Sequence, residues 1–560
     1  MAVAASAVGL LTAAFPDASA AAAPRPCPGG QTGITLPPGF CATVFADNVG
    51  NVRHIVAGAD GTLYANLWNG SAYFPGSKRP DDGFLVALRD TGRTGKADQI
   101  THFGQTPAEG SRGGTGIGLF KGFVYAEMND KIVRYSLAGG PVPADKPETV
   151  LSGMPLGGDH PMHPFVINAR GQLFVDMGSA TNSCQPKNRF PGIPGNQPCD
   201  ELLTRAGTWL YSADRLGQTF SPAERYVTGI RNGMGLSFDV QGRLFATQHG
   251  RDQLLQNWGK LYPDAKAVTE LPAEELLLET PGGDYGWPYC YYDKAQAKLV
   301  LAPEYGGDGG KTQGLCAKKL TPVAAFPGHW APNDLHIYAG TAFPMAYRGG
   351  AFIAFHGSWN RAPAAQDGFK VVFQPLKDGK ASGPYAIFAD GFAGPNKASG
   401  KAIFRPTGLA EGPDGALYIA DDVKGRIWRV TYRGPAGAPV AWAPAPTYSE
   451  ATAQANSPLP TPPGASAEQV SRGGALFQSV GCGGCHGLDA SGGAVGPPLN
   501  TGAPLWTDGS QAQIGALIVR GVPQPKQYRG AMPPMGGAKL SPDDLAALSA
   551  YVWAVGHQKK

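Results

Sequence analysis

At 560 residues the chain is longer than one ordinary core can fill, so two modules or a repeat architecture are expected. Gly 80 and Pro 51, with aromatics at 10% and charged residues at 16%, exclude a disordered polar chain and a helical bundle and point to a turn-rich, β-dominated protein. The formal charge of +4 is spread without basic runs or a charged tail, which argues against nucleic acid as a partner and for small molecules and proteins.

Residues 1–26 are apolar and rich in small residues, run through the alanines Ala20 to Ala23, and carry an Ala-Ser-Ala, like the apolar core and cleavage site of a secretory signal. They lack a Lys or Arg head, which reads as a truncated or mis-called start. A periplasmic or secreted protein is expected. No other stretch approaches the roughly 20 apolar residues of a membrane span, so the mature protein is expected to be soluble. The eight cysteines fall into four near-neighbour pairs: Cys27 with Cys41, Cys184 with Cys199, Cys290 with Cys316, and Cys482 with Cys485. Disulfide staples suit an exported chain, and no further His or Cys stands at zinc spacing around the first three pairs.

From Leu36 to about Arg433 a glycine turn followed by alternating aliphatic and aromatic residues recurs: Gly61-Thr-Leu-Tyr-Ala, Gly122-Phe-Val-Tyr-Ala, Gly171-Gln-Leu-Phe-Val, Gly242-Arg-Leu-Phe-Ala, Gly350-Ala-Phe-Ile-Ala and Gly415-Ala-Leu-Tyr-Ile-Ala. Several copies follow another short apolar strand, so each unit reads as a hairpin. Six units predict an all-β, six-bladed propeller over residues 32–435, favoured over a pair of β-sandwiches by the repeated position of the motif. Propellers bind ligands at the channel mouth, where loops from several blades converge. Unusual polar loops are Gly158-Asp159-His160, Arg231-Asn232-Gly-Met-Gly-Leu, Gln248-His249-Gly250-Arg251-Asp252, His329, His356-Gly-Ser-Trp-Asn360-Arg361 and Arg405-Pro-Thr407-Gly-Leu.

At these residues the chain resembles the soluble pyrroloquinoline-quinone (PQQ)-dependent sugar dehydrogenases, the glucose, aldose-sugar and sorbosone dehydrogenase-like propellers. Asp284-Tyr-Gly-Trp-Pro288 adds to the likeness, and Gly-Ser-Trp-Asn-Arg lies closest to the sorbosone branch. The resemblance implies His160 as general base toward the sugar's anomeric hydroxyl, with Asp159 orienting it. It implies Arg231 as stabiliser of the developing oxyanion, and Asn232, Asn360, Arg361, Arg405 and Thr407 around the cofactor. A Ca²⁺ ion would polarise the quinone from the carbonyls of Gly250 and Arg251. Asn360-Arg361 stands where the glucose branch has a lysine, Thr407 where it has a second arginine, and Arg251 where it has a proline. His163 is a rival base.

Residues 436–464, including Pro458-Leu-Pro-Thr-Pro-Pro463, read as a semi-extended linker. Beyond it, residues 465–560 read as a small all-α module. Ser466 begins a capping box with Gln469, with Val470, Gly473, Gly474 and Phe477 on a helical period, and Ser541-Pro-Asp-Asp starts a helix whose Leu545, Leu548 and Val552 share a face. Between them Cys482-Gly-Gly-Cys485-His486 has the c-type haem pattern, two thiols for thioethers and an imidazole for the iron. The alternative is a redox or structural disulfide beside an incidental His. The module resembles the class I cytochrome c domain, which implies a sixth ligand from Met532 in Ala-Met-Pro-Pro, with Met535 as competitor.

Together the modules predict a quinohaemoprotein. A sugar or related alcohol or aldehyde is oxidised in the propeller, and electrons pass singly to haem c and on to a soluble cytochrome or terminal oxidase. An eight-bladed quinohaemoprotein alcohol dehydrogenase would carry adjacent cysteines and tryptophan-rich blade motifs, which this chain lacks. The competing reading is a non-catalytic propeller that docks a partner or polysaccharide onto an electron-transfer cytochrome.

Overall fold

The computed structural model describes residues 27, 32–68, 83–104, 114–143, 146–361, 364–397, 400–435, 459–480, 482–487, 490, 492, 496–502, 504–528, 531–537 and 540–558. The signal-like segment 1–26 and most of the expected linker, 436–458, lie outside the described residues. No described helix is long and apolar enough to cross a membrane.

Six sheets succeed one another along the chain, each built on an up-and-down run of four antiparallel strands, and the second gains a fifth, Gln218–Thr219, paired in parallel with Glu148–Ser152. The first five begin with Val52–Ala57, Ile117–Phe120, Phe165–Ile167, Leu236–Phe238 and Pro332–Ile337 as their innermost strands. The sixth is composite. Pro406–Glu411, Leu417–Asp421 and Ile427–Tyr432 are completed by Phe40–Ala46 from the start of the chain, paired from Phe40↔Tyr432 to Val44↔Trp428. This pairing closes the ring and leaves no open seam between first and last blades. The six-bladed propeller read from the glycine motif is therefore correct. In five copies the motif glycine itself takes positive φ at the hairpin turn, and in the fifth blade Gly349 (φ 72) does so in place of Gly350.

The blades meet around the channel through buried polar stitches. Asn66 Nδ2 donates to Gly116 O (2.8 Å), joining the first blade to the second. Glu127 accepts from the amide of His163 (2.9 Å), and Asp176 accepts from the amide of Gly233 (3.2 Å). Thr247 Oγ1 donates to Pro332 O (3.1 Å), Asp334 accepts from Leu409 N (2.7 Å), and Thr407 Oγ1 donates to Val52 O (2.9 Å). All six stitching side chains are buried, and together they pass from each blade to the next around the whole ring.

Two short helices, α1 (Leu254–Trp258) and α2 (Ala265–Val268), interrupt the fourth blade. The C-terminal module holds α3 (Ala467–Ser479), α4 (Cys482–His486), α5 (Gln511–Arg520) and α6 (Pro542–Gly556). The predicted capping box of Ser466 with Gln469 forms, and Ser541 makes a second one with Asp544. Helices α3 and α6 cross at Gly473, where a Cβ would lie 2.0 Å from Ala547 O, so only glycine admits this approach. Phe477, Ile514, Ile518, Leu548 and Val555 form the core beneath.

Three of the near-neighbour pairs are disulfides: Cys27–Cys41, Cys184–Cys199 and Cys290–Cys316. Thr407, expected on the cofactor, is instead wholly buried as the stitch between the sixth and first blades. Thr407→Val keeps the side-chain shape but strands the Val52 carbonyl, and is expected to cost about 1–3 kcal/mol of stability, read as a lower urea midpoint.

Candidate functional site

A cavity of about 480 Å³ opens where loops of several blades converge. His160 follows the second blade and leans on the loop after the third blade's strand Gln172–Met177. Its Nδ1 lies 2.9 Å from Ser179 O and 3.0 Å from Ser179 Oγ, whose own hydrogen goes to Thr181 O. Donation from Nδ1 to the carbonyl leaves Nε2 as the basic nitrogen. Burial and then the Arg231 cation drive the imidazole well below its usual pKa, so it stays neutral.

Asp252 is the electrostatic centre of the wall. Its carboxylate accepts from Arg189 Nη2 (3.1 Å), Arg231 Nη2 (3.0 Å) and Asn360 Nδ2 (2.7 Å). Burial opposes its charge, but Arg231 and Arg189 outweigh burial and hold it well below the carboxylate range. Glu274 nearby goes the other way, pushed by burial to about 8, and stays protonated. The wall thus presents four guanidiniums, Arg53, Arg189, Arg231 and Arg405, against the ionised Asp159 and Asp252. Arg405 donates to the carbonyls of His356 (2.9 Å) and Gly357 (2.7 Å), and burial lowers its pKa to about 10. Arg53 pairs with Asp422 at 2.5 Å while its buried Nε has no hydrogen-bond partner among the described residues. This excess of desolvated cation suits a compact polyanion.

Several expected residues fall elsewhere. Asp159 lines the cavity, but its carboxylate takes Asn188 Nδ2 (3.1 Å) and Arg189 Nε (3.0 Å), and it is Ser179 that orients His160. His163 is unavailable as a base because Nδ1 faces Glu127 (3.2 Å) and Nε2 faces Pro155 O (3.1 Å). Arg361 turns away from its neighbour Asn360 and binds Glu270 and the carbonyls of Thr269 and Gly328 outside the cavity. Arg251 is likewise tied to Glu304. The Gly250 carbonyl expected to face Ca²⁺ receives Arg231 Nη1 at 3.0 Å. A divalent cation there would abut a guanidinium, so this donor set does not fit calcium. Asn232, Asn360 and Arg405 do line the cavity.

Sequence reasoning missed Arg53 and Arg189, and named Asp252 only as part of a polar loop, without a role. Arg53 lies at the start of an inner strand, as Arg405 lies just before one, and that equivalence was a usable signal. Arg189 sits in the loop stapled by Cys184–Cys199, where no periodicity marks it.

In the C-terminal module a second cavity, of about 210 Å³, is lined by Cys482, Cys485, His486 and Met532, while Met535 is not on its wall. His486 Nδ1 donates to Pro497 O at 2.8 Å, leaving Nε2 free. Cys482 and Cys485 form no disulfide, and burial pushes their thiols to about 12 and about 11. Gln253, Cys485, Pro525, Tyr528 and Ala531 border both cavities, so one wall separates them.

Because Asp252 is ionised only in the folded state's favour, its stabilisation is present above the ordinary carboxylate pKa and lost as pH falls toward its depressed value. Between pH 6 and 3 the wild type is expected to lose more stability than Asp252→Asn, measured by urea denaturation at each pH.

The TrAA12-like family model matches residues 34–433, and that of cytochrome C oxidase, cbb3-type, subunit III matches residues 468–552. A PQQ-dependent pyranose dehydrogenase of Coprinopsis cinerea is 28% identical over 229 residues, 36% of this chain and 30% of that protein. An uncharacterized Borreliella burgdorferi protein is 27% identical over 206 residues, 36% of this chain and 48% of its own length, so the matches span half or less of these relatives. The holo pyranose dehydrogenase PQQ domain from Coprinopsis cinerea superposes with a TM-score of 0.55 at 18% identity, covering 72% of this chain and 98% of that one. The calcium structure of Trichoderma reesei family AA12 gives 0.55 at 18%, covering 71% and 97%. The propeller fold is shared with both. With its match running from the closing strand to the end of the sixth blade, the chain belongs to the TrAA12-like family and joins that propeller to a C-terminal cbb3-type cytochrome c domain.

Proposed function

We propose that the chain is an exported quinohaemoprotein oxidoreductase that oxidises a sugar, an aldose, sorbosone or related alcohol or aldehyde, in the propeller cavity and passes the electrons to haem c in its own C-terminal module. The observation that carries this is the shared wall: Cys485 of the haem motif lines the cavity that holds His160. Bound PQQ supplies a hydride acceptor, and haem c a one-electron outlet. Arg53 and Arg405 offer desolvated donors for the cofactor's carboxylates, with Asn232 and Asn360 beside them. His160 Nε2 takes the substrate hydroxyl proton as the carbon gives up hydride, and Ser179 holds the ring in the tautomer this needs. Arg231, fixed by Asp252 and Asn182, stabilises negative charge developing on that oxygen.

In the other module Cys482 and Cys485 would hold a haem through thioethers, and His486 and Met532 would bind its iron. Tethering keeps the acceptor at high effective concentration for both single-electron steps. A soluble cytochrome or terminal oxidase is the downstream acceptor. Three disulfides support a periplasmic or secreted location.

The test loads full-length, haem-bearing protein with PQQ, with and without Ca²⁺, and follows the haem absorption on adding a panel of aldoses. Haem reduction is expected only after quinone loading. Reduction without quinone, or failure to bind quinone, overturns the reading. His160→Gln is expected to lower kcat/KM about 10²–10⁴-fold with an intact haem spectrum. Because its depressed pKa keeps His160 neutral, the acid limb of the rate profile is expected below pH 6.5. Met532→Ala is expected to change the haem spectrum and lower the potential, and Met535→Ala to leave both unchanged.

A further inference from the structure

The propeller cavity is not made by the propeller alone. Four of its lining residues come from the C-terminal module: Cys485, and Pro525, Tyr528 and Ala531 between α5 and the iron-ligand candidate Met532. The base of that segment is pinned: Val522 and Met532 exchange two backbone hydrogen bonds, at 2.8 and 2.9 Å, and Gly521 (φ 68) packs onto the Met532 carbonyl. Met532 at the base lines the haem cavity, and Tyr528 beyond it lines both cavities. The phenol is half-buried, and among the described residues its hydroxyl has no hydrogen-bond partner. The half-buried Trp359 lines the same cavity from the propeller.

Resting on the function proposed above, we propose that the cytochrome module forms part of the substrate-binding wall and that its Tyr528 is a specificity-determining contact for the sugar. The arginines that suit an anionic cofactor all belong to the propeller, whereas the cytochrome residues on this wall are uncharged. A neutral polyol is the ligand matched to that second surface. A tyrosine offers a pyranose both parts it needs, an apolar face for ring C–H groups and a hydroxyl for the sugar hydroxyls. The haem-bearing segment therefore reads which substrate enters, and catalytic specificity depends on a module whose other work is electron transfer.

The test uses full-length, haem-bearing protein loaded with PQQ. Calorimetry measures binding of a 1,5-anhydro sugar, which lacks the oxidisable anomeric hydroxyl, and a dye that takes electrons directly from the quinone reports turnover without the haem. Tyr528→Phe removes only the hydroxyl and Tyr528→Ala the ring as well. Expected are weaker sugar binding and a raised KM, by about 3- to 10-fold for Tyr528→Phe and more for Tyr528→Ala, with altered ranking among aldoses and with quinone stoichiometry unchanged. Sugar affinity and KM unchanged in both variants, while quinone binds normally, overturn this inference and leave the proposed function standing. Failure of the wild type to bind quinone overturns the proposed function and this inference with it.

Discussion

The ring of side-chain to backbone hydrogen bonds around the channel is the constraint on which the rest of this molecule depends. A propeller's blades touch mainly through apolar faces, which are non-directional and tolerate sliding. Asn66, Glu127, Asp176, Thr247, Asp334 and Thr407 remove that freedom, because each buried polar group is satisfied at one register of the adjoining blade and is costly at any other. Burial raises the pKa of Asp334 and drives that of Asp176 well above the usual carboxylate range, so burial itself resists a bare charge at both stitches.

The site inherits its geometry from that ring. The starts of the inner strands carry Arg53 and, just ahead of them, Arg231 and Arg405, so fixing blade against blade fixes guanidinium against guanidinium. Gln248, next to the stitch Thr247, accepts from the amide of Arg231 at 2.8 Å. Several buried cations in one pocket repel one another, and Asp252 makes the arrangement tolerable by bridging Arg189 and Arg231. The result is a surface that is stable while empty yet still short of negative charge.

What was legible in the sequence follows the range of the interaction. The blades were readable because a glycine hairpin with alternating apolar residues is a local object, and the haem motif because its chemistry needs five adjacent residues. Loop side chains were readable only as candidates. Asn360 and Arg361 are neighbours with the same polar credentials, but one meets Asp252 and the other Glu270, and only the fold decides which. Thr407 had the right place in the motif and a different task. Arg189 and Tyr528 carried no local sign, since each reaches the cavity from a segment outside the blade repeat.

The composite sixth blade sets an order of assembly. Phe40–Ala46 leaves the ribosome first but has no partner strand until Ile427–Tyr432 exists, so the ring cannot close until nearly the whole propeller has been made. Until then Phe40 has none of its packing against Phe343, Tyr347, Phe388 and Tyr432. The cytochrome sequence follows Tyr432, so it emerges only when closure has become possible. The segments carrying Cys485 and Tyr528 therefore complete the wall of a ring that is already able to close.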